Sequence, residues 1–182
     1  MKNKFFGGSW LVLAFIFSGC LSKGLPAKDV VHVYILAGQS NMEGQGVVDM
    51  DHPRYYNGGK GNLNTVMAAN PARYKHLKDA AGNWVVRDDV FVRFRNKQEV
   101  MKGGLTIGYT GYSSEKSRHH IGPELQIGHQ LGDAIDAPVL LIKTAWGGKS
   151  LYKDFRPPSA GGEVGEYYTR MHAEVRESLG NA

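Results

Sequence analysis

The sequence has very little cysteine and no concentration of positive charge. Its one cysteine, Cys20, excludes an internal disulfide. The formal net charge is +5, and the Lys and Arg residues are scattered among acids, with no basic block or aromatic-interleaved stripe. This distribution argues against nucleic acid as a partner. Internal repeats and long low-complexity segments are also absent, and the length suits one domain with a real core.

Three common functional motifs are missing as well. Residues 38–42 read GQSNM, and Met42 occupies the place of the last glycine in a G-x-S-x-G nucleophile elbow. Gly44 and Gly46 lack the third glycine of a dinucleotide-binding loop. No GK[ST] phosphate-binding loop occurs with the right spacing.

The histidines form no recognisable metal site. His119 and His120 precede a predicted helix and His129 lies inside it, without a diagnostic ligand spacing or a clearly paired acid. We interpret them as surface or core histidines and predict no metal and no cofactor.

The first twenty residues have the layout of a secretory signal. Two lysines give a positive start, and Trp10–Phe17 is an apolar run too short to span a bilayer. The segment ends like a bacterial lipobox, which predicts lipidation of Cys20; an ordinary signal with a chance cysteine is the alternative. Lipidation would anchor an exported cell-envelope lipoprotein to a membrane surface, periplasmic or at the cell surface, with residues 21–29 as a tether.

Two apolar runs predict neighbouring strands. Val30–Leu36 is rich in β-branched residues and closes at a glycine, so we expect a strand buried on both faces, as in a helix-covered parallel sheet. Pro138 introduces Val139–Ile142, a second continuously apolar run. The strand, helix, strand order between them indicates a βαβ unit and an α/β fold.

Two helices are predicted from their start signals and spacing. Gly122-Pro123-Glu124 opens the first, because proline suits the first turn and an acid suits the positive helix end. Glu124 either helps to order the site or only stabilises this helix end. Apolar residues at helical spacing then follow, and a second such face runs to Leu179 near the end of the chain.

Residues 47–117 are predicted to be insertions or loops. Within them, Trp84–Arg87 and Val90–Phe94 flank two aspartates and predict a hairpin that decorates the sheet rather than forming its core. Lys102–Ser117, with four glycines, is predicted to be another loop.

Ser40 follows the first predicted strand at the edge where parallel sheets place their chemistry. By position alone it is either a nucleophile or the cap of the next helix. The second strand ends in Ala145–Gly148, and if the strands are neighbours their loops share one crevice. Backbone N–H groups of Ser40 and of Gly147 or Gly148 would then stabilise an oxyanion.

Three blocks resemble a known family: AGQSNMEGQG, IGPELQIGHQLGDA and LLIKTAWGGKSL. They are similar to the SGNH-type carbohydrate esterases of the sialate O-acetylesterase and acetylxylan esterase group. The resemblance implies a flavodoxin-like, three-layer α/β/α domain with a parallel sheet that removes O-acetyl groups from an oligo- or polysaccharide. It implies Ser40 as nucleophile and Gly148, or else Gly147, as the oxyanion glycine.

Three further residues are candidates for substrate binding. Gln39 and Asn41 flank the nucleophile. Trp146 either stacks on a sugar or is buried between strand and helix.

The sequence also departs from the family. The resemblance implies a Gln-Gly-Glu or Gly-x-Asn-Asp block and an Asp-x-x-His that supplies acid and base, and neither occurs after Gly148. We therefore interpret residues 30–182 as the N-terminal portion of the domain, with the C-terminal strands missing. The alternatives are a non-catalytic carbohydrate-binding lipoprotein and a serine esterase that acts on non-sugar esters.

Overall fold

The computed structural model describes residues 30–50, 54, 58 and 60–180. The predicted signal, Cys20 and the tether lie outside these residues. The described strands are β1 (His32–Gly38), β2 (Gly46–Val47), β3 (Val90–Arg95), β4 (Val100–Gly104), β5 (His120–Ile121) and β6 (Val139–Ala145). The described helices are α1 (Ser40–Glu43), α2 (Leu63–Ala69), α3 (Pro71–Tyr74), α4 (Pro123–Ala134) and α5 (Glu166–Ser178), with 3-10 turns at Lys75–Leu77 and Pro158–Ala160.

A four-stranded mixed sheet in the order β1-β6-β3-β4 forms the centre of the described fold. β1 and β3 both pair with β6 in parallel, and β4 closes one side antiparallel to β3. The predicted parallel pair is therefore confirmed. Its register places Gly38 opposite Ala145, so the two strands end at the same level.

Helices cover the sheet from both faces. Alternate side chains of a strand point to opposite faces. Leu141 points to the face on which α4 packs, since a Cβ added to Gly128 of α4 would lie 3.1 Å from the Leu141 side chain. Arg93 points to the other face and pairs with Glu174 of α5. The predicted α/β class and three-layer arrangement are confirmed.

A network of four charged side chains attaches α5 to β3. Arg93 contacts Glu174 and Glu177 at 2.7 Å each, and Arg95 contacts the same two acids at 2.7 Å. Glu174 is almost fully buried, so these paired charges neutralise one another where water is scarce. The network fixes the position of α5 on the sheet, and with it the side chains of Tyr167 and Arg170.

The prediction that the first strand is buried on both faces is wrong. Only Leu36 of β1 is fully buried, while Val33 and Ile35 are 39 % and 48 % exposed. Within the described residues β1 pairs with β6 alone and forms the edge of the sheet. On this face α5 packs on β6 and pairs with the arginines of β3, and the outward side chains of β1 stay exposed.

The predicted decorative hairpin is also wrong. Val90, Val92 and Phe94 are at most 1 % exposed and lie between β6 and β4 in the sheet. The antiparallel partner of β3 is β4, so the segment predicted as a loop from Lys102 begins as a strand. Trp84 forms only an isolated bridge with Lys78. No helix in the described ranges is both long and apolar enough to cross a bilayer.

Candidate active site

Ser40 is the first residue of the short helix α1, directly beyond the carboxyl end of β1. Gln39 occupies the N-cap position and makes no side-chain cap hydrogen bond, so Ser40 does not cap the helix. Its hydroxyl donates a long hydrogen bond of 3.5 Å to Gln39 Oε1. A serine held at the N-terminus of a helical turn beyond a parallel strand has the placement that a nucleophile requires.

The loop after β6 lies directly beside this turn. The Trp146 N–H donates to the carbonyl of Gly38 at 3.1 Å, which extends the β1–β6 pairing by one residue. A Cβ placed on Gly147 would lie 3.9 Å from the Ser40 Cβ. Gly148 has φ +74°, a left-handed conformation that favours glycine, and no atom lies within 4 Å of where its Cβ would be. The space beside Gly148 is therefore open, while the Glu43 carboxylate lies beside Gly147.

Both loops border one crevice with a volume of about 550 Å³. This size is typical of a small-ligand pocket. It brings together Ser40, Trp146, Gly147 and Gly148, four of the residues singled out from the sequence. Gln39 and Asn41 are exposed and do not line it. The remaining lining residues are Glu43, Gln45, Asn96, Lys97, Gly111, Tyr112, Lys149, Tyr167 and Arg170.

An aromatic and cationic wall forms one side of the crevice. The rings of Trp146 and Tyr167 meet edge to face with centroids 5.1 Å apart, and Phe155 packs behind them. The Arg170 guanidinium lies 4.9 Å from the Trp146 ring centroid, and Lys149 Nζ lies 4.3 Å from that of Tyr167. Trp146 packs against α5 and also lines the crevice. Its stacking on a sugar stays a prediction.

The crevice has an excess of positive charge. Lys97, Lys149 and Arg170 line it, against the single lining carboxylate of Glu43, and Asp154 outside the lining pairs with Lys149 at 3.7 Å. A hydrogen bond with Tyr167 raises the pKa of Lys149, so this lysine is charged at neutral pH. The Glu43 carboxylate lies beside the loop glycines, with Oε2 3.0 Å from where a Cβ on Gly147 would be. The charge distribution suits a ligand that is polar and anionic.

The histidines of the described ranges lie outside the crevice lining. His129 is buried in α4 against His76 and Arg87, and burial lowers its pKa to about 4. His119 Nδ1 lies 2.9 Å from both carboxylate oxygens of Asp49. This aspartate was not identified as its partner from the sequence. No group of three or more possible metal-ligating His, Cys, Asp or Glu side chains occurs in the part of the chain that the structure describes.

Comparison with known protein families gives one match that covers most of the chain. Residues 30–181 match the model of the carbohydrate esterase family described as sialic acid-specific acetylesterases. The chain belongs to this family. The match covers both strands, both loops and α5, so every described residue of the crevice falls within the carbohydrate esterase domain.

Comparisons with individual proteins add little to this family assignment. No curated protein matches the chain. One similar solved structure is of a protein from Arabidopsis thaliana, with 16 % identity, a TM-score of 0.42, and coverage of 81 % of this chain and 50 % of that one. The chain thus spans about half the length of the plant protein.

Sequence reasoning missed the charged residues in and near this candidate site. Arg170 stands three residues after Tyr167 on one helical face, a spacing that brings two side chains together. Lys143 is the one charged residue in the apolar strand β6, and it is fully buried against Glu124. A lysine within an apolar strand could have been recognised in the sequence as a buried charge, because such a charge requires a partner.

Proposed function

We propose that the chain forms the nucleophile-bearing part of a carbohydrate O-acetylesterase. The observation that carries the proposal is the parallel β1–β6 register, which sets Ser40 beside Gly147 and Gly148 at one crevice. Membership of the carbohydrate esterase family supports the ester chemistry. Anchoring to a membrane through Cys20, and export to the cell envelope, stay predictions.

The proposed reaction begins with attack of the Ser40 hydroxyl oxygen on the acetyl carbonyl carbon. The proton of Ser40 passes to a base, and the N–H groups of Ser40 and Gly148, with Gly147 as the alternative, stabilise the oxyanion. Collapse of this intermediate breaks the ester bond and releases the sugar hydroxyl, which takes the proton. Water then hydrolyses the acetyl-Ser40 ester and gives acetate.

The substrate that the crevice suits best is an O-acetylated acidic sugar. Trp146 offers an aromatic face, and Lys97 and Arg170 offer charge to a sugar carboxylate. Sialic acid, which appears in the description of the family, is such a sugar. Neutral acetylated sugars such as acetylxylan would use the same aromatic face without the ionic contact.

Acetate release separates this proposal from its two alternatives. We expect the full product of the gene to release acetate from O-acetylated sialic acid or acetylxylan, measured by an enzyme-coupled acetate assay. A carbohydrate-binding lipoprotein without catalytic activity would bind the acetylated sugar and release no acetate. A serine esterase that acts on other esters would hydrolyse an aryl acetate and leave both acetylated sugars intact.

Arg170 provides a test of the acidic substrate. Replacing it with glutamine removes a charged hydrogen-bond donor, so we expect KM for O-acetylated sialic acid to rise roughly 10-fold and KM for acetylated xylose to change less than about 2-fold. Arg176, which is exposed on the same helix outside the crevice, gives the control variant Arg176→Gln. An equal rise in KM for both sugars would contradict the assignment.

A further inference from the structure

The side chain of Lys143 ends at the meeting point of four segments. It is fully buried, and its Nζ donates to Glu124 Oε2 at 2.7 Å, to the carbonyl of Tyr109 at 2.6 Å and to the carbonyl of Glu43 at 2.8 Å. An ammonium group has three protons, and all three are used here. The ion pair is therefore complete and has no hydrogen-bonding capacity left for a ligand.

Two of these acceptors belong to segments that shape the crevice. Glu43 is the last residue of α1, which begins at Ser40, and a carbonyl at that end has no partner within the helix. Tyr109 lies two residues before Gly111, which lines the crevice. Lys143 thus ties both the turn that begins at Ser40 and the segment that leads to Gly111 to strand β6.

Close backbone packing completes the attachment of α1. Gly44 has φ +92°, and a Cβ on it would lie 2.6 Å from the Gly122 Cα at the start of α4. A Cβ on Gly122 would in turn lie 2.9 Å from Lys143 Nζ. Glu124 Oε1 accepts the Gly122 N–H at 3.0 Å, so its other oxygen is directed at the lysine. The backbone at the end of α1 therefore packs closely beside the Lys143–Glu124 ion pair, because Gly44 and Gly122 have no side chains to separate them.

Stability alone is a weak reason for such a pair. Bringing two charges out of water is costly, and replacement of a buried pair by uncharged residues of similar size is often neutral or stabilising. Placement of a nucleophile is a stronger reason, since a shift of about 1 Å lowers a rate roughly 100-fold. The ammonium fixes α1 by a short, charge-assisted hydrogen bond, which an apolar side chain cannot supply.

We propose that Lys143 is a positioning residue, which holds α1, and so Ser40, in register with the glycine loop after β6. It acts through the Glu43 carbonyl and touches no reacting atom. The inference rests on the proposed function, because it assigns Lys143 a role in the reaction of Ser40. Glu124 contributes by keeping the lysine charged and directed.

Two variants separate positioning from stability. Lys143→Met alone leaves Glu124 buried without its cation, and we expect Tm to fall by roughly 10 °C. The double variant Lys143→Met/Glu124→Gln removes both charges and keeps an acceptor for the Gly122 N–H. We expect it to recover most of the lost Tm while kcat for acetate release stays roughly 10- to 100-fold low and KM changes little. Lys102→Met, at an exposed lysine of β4, is the control.

Amide hydrogen exchange provides a readout that does not depend on activity. We expect the amides of residues 43 and 44 to exchange roughly 10-fold faster in the double variant than in the wild type at equal Tm. If kcat and exchange both return to wild-type values together with Tm, Lys143 is only structural and the inference is overturned. A wild-type kcat in Ser40→Ala would instead overturn the proposed function, and the exchange result would still decide the role of Lys143.

Discussion

Ser40→Ala is expected to abolish acetate release, with kcat reduced on the order of 10⁶-fold. The reason is that alanine has no hydroxyl oxygen to attack the acetyl carbon, so no acyl-enzyme forms. Oxyanion donors and substrate contacts remain and leave a small residual acceleration over water. The measurement is initial-rate acetate release from an O-acetylated sugar by the full product of the gene, with KM or direct sugar binding as evidence that the crevice is intact.

Ser150→Ala is the matched control for this prediction. Ser150 lies at the end of the loop after β6, where its hydroxyl hydrogen-bonds to Asp154 outside the crevice lining. We expect its activity to stay within about 2-fold of the wild type, because such surface changes alter stability by about 0.5 kcal/mol or less. A Ser40→Ala enzyme that keeps more than a tenth of the wild-type rate would remove Ser40 from the mechanism.

Phe94→Ala is expected to lower the free energy of unfolding by about 3–5 kcal/mol. Phe94 is 1 % exposed in β3, and its ring centroid lies 5.0 Å from Lys143 Nζ. Truncation removes the transfer free energy of the ring and leaves a cavity that neighbouring strands cannot fill. Urea unfolding followed by circular dichroism measures the change.

Phe91 supplies a control in the same strand. It points to the opposite face and is 40 % exposed, so Phe91→Ala is expected to cost less than about 1 kcal/mol. If β3 were the surface decoration that its sequence indicates, both variants would show the small cost. Equal, small losses would therefore contradict the placement of β3 in the sheet.

The elements on either side of Ser40 and the glycine loop were predictable because their signals are local. The runs before Gly38 and after Pro138 are apolar and β-rich and close at small residues, and the helix from Pro123 carries its start signal in its first two residues. The placement of Ser40 and of the glycine pair Gly147 and Gly148 follows from these elements, since parallel strands end at one edge. The preference for Gly148 came from the family resemblance. Pairing of β1 with β6 then made the two loops neighbours.

β3 was misread because its alternation has a long-range cause. Its sequence VFVRFR places Arg93 and Arg95 on one face, and such arginines indicate contact with solvent. In the fold that face meets Glu174 and Glu177 of α5, about eighty residues later, which neutralise them. A local sequence pattern cannot predict an ion pair between residues so far apart in the chain.

The charged residues around Ser40 were missed for the same reason. Lys143 needs the Glu43 and Tyr109 carbonyls, and Arg170 needs the Trp146 ring, and each contact joins segments that only the folded sheet brings together. The position of Ser40 was therefore predictable, while the contacts of Lys143 and Arg170 were not.

The position of β1 at the edge of the sheet separates reactivity from overall stability. Within the described residues this strand is paired on one side only, so its local opening costs less free energy than unfolding of β6 or β3. Ser40 follows β1 directly, so we expect local opening of this strand to displace Ser40 from the loop glycines and to lower the fraction of molecules with an intact crevice. Apparent affinity and turnover scale with this fraction. We therefore expect substitutions at the exposed positions Val33 and Ile35 to lower activity more than they lower the melting temperature.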